Sequence, residues 1–427
     1  MSIAYMPADA AVAINDMLDC CAVVKPGQNV LILAAVDGLH GGRNLVDEQT
    51  IGWIQSGVQA RGAHPTVIWA DMPSRPSVIW PDIPTPETAW KIPPIVKAAM
   101  KGADLLINHI SDLSSEEHLK EFPELLKELK LPMVRNMATT GGLLMSDWAR
   151  TPHDLIAEIR YRMAELIKPD ETWSLSHPNG THLEGKVGSP GRGGEAYAYW
   201  RRDGYYRPFP DGIYPAVNPV GTNGIYVFDQ MMPVWAKEIG VPVRFSAPVR
   251  ISVEDNQMTK IEGGPEAAAI RGFLEALARR IGEKNAFEIR GPHGGVHPHA
   301  IVSREQCPDE DYREFVASFH TASVHMHLGQ AGKNASFPFN LHTAAEARDA
   351  TFKVGCNVLH DRGRLAVMND PRVKAVAARY AGRPGIQLTS PLSYSRNIDG
   401  PNLLLTIGLV FRKITSCVDE DSCFING

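Results

Sequence analysis

Lys25-Pro-Gly-Gln-Asn-Val-Leu-Ile-Leu-Ala-Ala35 is the stretch on which the fold turns. Lys-Pro-Gly-Gln is turn chemistry, and the short, unbroken apolar run after it is the kind that sits inside a parallel sheet covered on both faces. Working outward, Glu48 to Ala60 has amphipathic helical spacing. Gly62-Ala-His then precedes a second β-rich run, Thr66-Val-Ile-Trp69. A third unit repeats the plan, with a helix from Pro94 to Lys101, a stop at Gly102-Ala-Asp and a strand at Leu105-Leu-Ile-Asn108. Strand, helix, strand at this spacing implies right-handed crossovers and a doubly wound, mostly parallel α/β domain. Its glycines do not spell G-x-G-x-x-G, so a dinucleotide site has little support.

A helix from Pro152 to Lys168 carries Leu155, Ile156, Ile159, Met163, Leu166 and Ile167 at helical spacing, as a core-packing helix does. Beyond Pro169 the character changes. Glycine, proline and aromatic residues crowd His177 to Gly224, strands follow at Val249–Glu254 and Lys260–Glu262, and Gly263-Gly264 opens a helix from Pro265 to Ile281. The expected organisation is an α/β N-terminal domain (1–170), an α+β metal-binding domain (171–390) and a C-terminal tail (391–427) holding Cys417 and Cys423.

At 427 residues the chain exceeds the size at which single cores stop growing. A net charge of −5 with no Lys/Arg stripe argues against a nucleic-acid partner, and no run approaches the roughly twenty apolar residues of a membrane span. Six cysteines without CxxC spacing fit buried thiols in a reducing cytoplasm, and the N-terminus lacks secretory features. The expected partners are a small-molecule substrate and further copies of the chain in a homo-oligomer.

Histidine is the chemical signal. His293, His297, His299, His320, His325, His327 and His342 are seven of the fifteen in the chain and lie within about fifty residues. Imidazole is the commonest transition-metal ligand and titrates near neutrality, so such a burst suggests a metal centre or an acid–base site. His325 and His327, two apart in β-like surroundings, share one sheet face, which suits convergence on one ion or hydration of a channel. His293 and His297 are flanked by Pro292, Gly294, Gly295 and Pro298, which rule out a helix and point to a loop. His320, His360, His118 and His153 read as ordinary surface or supporting residues. No G-x-S-x-G elbow and no cysteine paired with a base support covalent hydrolysis.

KPGQNVLIL, ARGAHPTVIW, AAMKGADLLI and SHPNGTHLEG in the first half resemble the N-terminal domain of the aminopeptidase T metallopeptidases and of the related 2,5-dihydroxypyridine 5,6-dioxygenases. The resemblance continues through FPDG at Phe209, VEDNQMTKIEGG at Val253, FEIRGPHGGVHP at Phe287, HMHLGQ at His325 and LHTAAEARDATFKVGCNVLHDRG at Leu341, and so spans roughly residues 20 to 370 in order. The peptidase pattern implies a two-metal site with a Glu after the FPxG turn. Here that position is Ile213, the second Glu corresponds to Glu288, and the final HxD pair falls on His342 and Ala344. With two carboxylates missing, a dinuclear aminopeptidase loses its anionic ligands.

The dioxygenase pattern implies one Fe(II) in a two-His, one-carboxylate arrangement, with His342 as one ligand and His293 or His297 as the other. Glu346 or Glu288 would replace the carboxylate absent at Ala344, or a three-His centre would use His325, leaving Zn or Mn as alternatives to Fe(II). The implied activity is ring cleavage of a small hydroxylated aromatic or heteroaromatic compound, with His325, His327 and Glu288 as catalytic candidates and His182, Tyr206 and Arg207 facing substrate. A metal-dependent hydrolase with Glu288 as base and a metal-free ligand-binding paralogue are the other readings.

Overall fold

The computed structural model describes residues 5–35, 45–70, 92–109, 121–189, 206–214, 216–233, 236, 239–329 and 343–387. The apolar run after the Pro-Gly turn forms β1 (Asn29–Ala34), flanked in a parallel sheet by β2 (His64–Trp69) and β3 (Leu105–Asn108), with β4 (Met133–Asn136) beyond β3. The unbroken hydrophobicity of β1 has a direct cause, because both of its faces are covered. Val30, Ile32 and Ala34 join one buried cluster, which includes Ile51, Ile54 and Val58 of the helix Glu48–Ala60. Leu31, Leu33 and Ala35 join a second, with Val96 and Met100 of the helix Pro94–Lys101. The Asp47 carboxylate accepts from Thr50 N at 2.6 Å and caps the first of these helices, which ends at Gly62 with φ +73°.

The chain then builds an antiparallel pair, β5 (Thr172–His177) and β6 (Thr181–Val187), before returning to the first sheet as β7 (Tyr206–Phe209), parallel to β4. The first sheet therefore runs β2-β1-β3-β4-β7, and its edge comes from beyond residue 170. The remaining strands are β8 (Pro219–Met231), β9 (Arg244–Glu254), β10 (Gln257–Glu262), β11 (Ile289–Gly294), β12 (Ser323–Leu328), β13 (Thr343–Arg348), β14 (Thr351–Val354), β15 (Asn357–Asp361) and β16 (Arg364–Leu365). With β5 and β6 they form an eleven-stranded antiparallel sheet in the order β11-β12-β13-β8-β6-β5-β14-β15-β16, and β9 and β10 branch from β8. Asp255 and Asn256 both have positive φ, +47° and +66°, which gives the two-residue β9–β10 hairpin a twist matched to its strands. Helix Pro265–Ile281 covers this region with Ile270, Phe273, Leu274 and Leu277, all buried.

One buried cluster runs through both lobes, so they share a core. Trp148 of the first lobe stacks on Phe319 of the second with ring centroids 6.3 Å apart, and Tyr312 Oη donates to the Met137 carbonyl at 2.6 Å. Helix Pro371–Arg379 turns back to the first lobe, where Arg162 meets Asp370 at 2.7 Å and Tyr380 Oη donates to Asp154 at 2.8 Å. The expected 391–427 tail lies outside the described residues, as do Cys417 and Cys423. Cys20, Cys21, Cys307 and Cys356 are free thiols; Cys21 and Cys307 are buried and Cys356 is exposed. Among the described residues no helix is long and apolar enough to cross a membrane.

His109, at the C-terminal end of β3, is fully buried, and desolvation pushes its imidazole down to about 3. The unfolded chain binds a proton on this group near pH 6.5 while the folded chain does not. The stability it confers is therefore present above pH 6.5 and lost as pH falls toward 3. Lowering the pH from 7 to 5 is expected to remove about 2 kcal/mol through this residue. Urea unfolding at the two pH values, compared with His109→Gln, checks this, since the variant should lose less between pH 7 and pH 5 than the parent.

Candidate metal centre

Strand β12 explains why the site lies where it does. Val324, Met326 and Leu328 face the apolar core, so period-two alternation sends Ser323, His325 and His327 to the other face. That second face is buried as well, with His325 at 1% and His327 at 7% exposure. A polar face hidden from water must find partners or hold a ligand. On the neighbouring strand β11, His293 lies opposite His325 and is itself buried.

The three imidazoles converge. His293, His325 and His327 each offer a ligand nitrogen, and these atoms lie within 4.8 Å of one another. The ring centroids of His293 are 3.9 Å from His325 and 4.7 Å from His327. His293 Nδ1 faces the Tyr214 carbonyl at 3.2 Å, and a carbonyl only accepts, so this nitrogen carries the proton and Nε2 presents its lone pair. His293 Nε2 and His327 Nε2 are 2.9 Å apart, a separation that requires either a proton or a cation between them. An imidazole whose far nitrogen donates to a backbone carbonyl is the usual arrangement of a metal-bound histidine. The donor set therefore fits a transition metal.

The sheet register arranges the surrounding groups in rows. His327 lies between Arg290 on β11 and Ala344 on β13, and His325 lies between His293 and Glu346, with Gln230 of β8 beyond. Glu346 is buried, and its carboxylate oxygens are engaged elsewhere: Ser323 Oγ and Gln230 Nε2 donate to it, and Arg348 Nη2 lies at 3.5 Å. Arg348 and Arg244 both reach Glu314 at 2.9 Å.

The other sequence candidates fall in several places. His297 is buried in a bridge with His320, and its Nδ1 accepts from His299 N at 3.1 Å, so Nε2 carries the proton; burial and the neighbouring histidines hold its pKa well below the usual imidazole value. It stands outside the triad. His293, expected on a loop, is on a strand, because β11 is an edge strand that tolerates Pro292 and absorbs an extra residue as a bulge between Arg290 and His293. Glu288, half-buried just before β11, acts on Arg290 through its charge. His182 is exposed on the outer face of β6. Arg207 on β7 donates to the Cys21 carbonyl at 2.5 Å and is anchored in the first lobe, and Tyr206 begins the same strand. His342 and His118 lie outside the described residues.

His320 and His360, read from the sequence as surface or supporting groups, are buried, and desolvation lowers the His360 imidazole to about 4. Two groups escaped the sequence reading, the Tyr214 carbonyl and Arg290. Neither had a signal, since one is backbone and the other depends on the bulge. Gly294 is required by packing, because a Cβ there would come 2.3 Å from the Ser323 carbonyl. Gly294→Ala is therefore expected to destabilise the chain by about 1–3 kcal/mol and to shift β11 against β12. Thermal unfolding together with metal content checks both consequences.

No family model matches the chain, and no curated protein matches it in sequence. Among solved structures, a 2,5-dihydroxypyridine dioxygenase from Pseudomonas putida KT2440 is similar, with a TM-score of 0.55 and 13% identity, covering 86% of this chain and 99% of that one. At this identity the likeness is one of fold: a parallel α/β lobe followed by an antiparallel α+β lobe.

Proposed function

We propose that the chain is a metal-dependent enzyme with a mononuclear centre held by His293, His325 and His327. In this reading the ion is Fe(II), and the reaction is oxidative ring cleavage of a small hydroxylated aromatic or heteroaromatic compound. The observation that carries it is the meeting of three buried imidazoles from two strands, one of them fixed in its tautomer by the Tyr214 carbonyl. The fold likeness to a dioxygenase supports the choice of chemistry.

His293, His325 and His327 would hold Fe(II), which would supply the redox chemistry of ring cleavage. The chain's own groups do the rest. The Tyr214 carbonyl keeps the proton on His293 Nδ1 and so aims the Nε2 lone pair inward. Ser323 and Gln230, both hydrogen-bonded to Glu346, fix the row beside His325. Burial of the whole face restricts water at the centre. Glu346 is engaged by other groups, which favours three imidazoles over two with a carboxylate.

A second reading draws on the same donor set, because three imidazoles also suit zinc and hydrolytic chemistry. Oxygen consumption across a panel of dihydroxylated rings, measured beside peptide amide cleavage, separates the two. Oxygen uptake with ring opening is expected, and amide cleavage without oxygen uptake would sink the dioxygenase reading.

A further inference from the structure

Charge balance at the centre is incomplete. Three imidazoles bind a dication as neutral ligands, so they leave its charge uncompensated in a buried site, where an unmatched charge is costly. The nearby ionic network does not help: it contains two carboxylates, Glu346 and Glu314, and two guanidinium groups, Arg348 and Arg244, which match each other. At Ala344, directly across from His327, the side chain is a methyl group and brings no carboxylate to the ion.

On the other side of His327 stands Arg290. Its side chain is half-buried, and desolvation lowers its pKa against the opposing charge of Glu288. Among the described residues its Nε, shut off from solvent, has no hydrogen-bond partner. An N–H withdrawn from water and left without an acceptor is costly unless a ligand supplies one. Directly opposed residues of antiparallel strands project from the same sheet face, so Arg290, His327 and Ala344 form one row.

We propose that this row is an anion subsite, and that the substrate is a carboxylate-bearing aromatic compound whose carboxylate is received by Arg290 beside His327. The assignment rests on the metal reading above and narrows it. The ligand brings the negative charge that the three-imidazole donor set lacks, and Arg290 offers the planar donor geometry suited to a carboxylate.

The test uses the full chain loaded with Co(II), whose visible absorption reports on its ligands, titrated with benzoate and with benzamide as the uncharged isostere. Benzoate is expected to change the spectrum at concentrations at least tenfold below those at which benzamide does. Arg290→Gln should weaken benzoate at least tenfold while leaving cobalt affinity within about threefold. Ala344→Asp, which adds a carboxylate to the row, should suppress the benzoate response, and Ala344→Gly, which adds none, should retain it. Equal responses to benzoate and benzamide, or an Arg290→Gln variant that binds benzoate as the parent does, would overturn the subsite. If cobalt fails to bind, the metal reading itself falls. Calorimetry of benzoate on the metal-free chain then decides for Arg290 alone: binding lost in Arg290→Gln upholds its role, and no binding overturns it.

Discussion

His327→Ala is expected to reduce bound metal from about one ion per chain to a small fraction, with a loss of affinity on the order of 10²–10³-fold. The argument is local. His327 Nε2 lies 2.9 Å from His293 Nε2, and removing it leaves two imidazoles where three converge. The neighbour opposite is Ala344, which has no donor to replace it. Glu346→Gln makes the contrast. Its carboxylate is held by Ser323, Gln230 and Arg348, so the expected loss is that of a supporting group, about tenfold and at most about 100-fold in affinity. Metal analysis after dialysis against a calibrated chelator measures both variants. Comparable losses in the two would place Glu346 among the ligands and break the three-imidazole account.

The largest expected effect on stability lies outside the centre. Asp211→Ala should destabilise the chain by about 3–5 kcal/mol, because it removes the carboxylate from a buried ion pair with the Arg160 guanidinium. The side chains are 1% and 10% exposed, so solvent screens the pair little. Asp211 follows β7, where the chain leaves the first sheet, and Arg160 is on the helix His153–Leu166, which packs against β15 and the helix Pro371–Arg379. The same segment leads within three residues to Tyr214, whose carbonyl orients His293, so metal affinity should fall along with stability. The double variant Asp211→Ala with Arg160→Met should recover much of the lost stability, because the buried guanidinium is removed along with its carboxylate. Urea unfolding of the single and double variants tests the ion pair, and additive losses would contradict it.

Where the physics was local, the sequence carried the fold. Helices Glu48–Ala60, Pro94–Lys101 and Pro265–Ile281 occupy the residues their periodicity predicts, and the apolar run of β1 lies in a parallel sheet covered on both sides. The return of β7 to the first sheet was not legible, since four residues between glycine- and proline-rich segments give no sign of which sheet they join. Strand β8 was hidden for a related reason. Gly221 and Gly224 adopt positive φ within it, and they fall in the His177–Gly224 stretch whose glycines and prolines give no strand pattern.

At the site, the alternation of β12 was readable and placed His325 and His327 on one face. The partnership with His293 depends on pairing across more than thirty residues and on a bulge that compensates for an odd spacing, and local pattern encodes neither. The same bulge sets Arg290 beside His327, which no motif in the chain announces.

X-ray absorption at the metal edge of protein purified without added ions tests the central claim most directly. The account predicts about one ion per chain, with imidazole nitrogen scattering from at least three ligands and a loss of that signal in His293→Ala. Metal-free protein with undiminished turnover, or a metal whose first shell contains no imidazole, would contradict it.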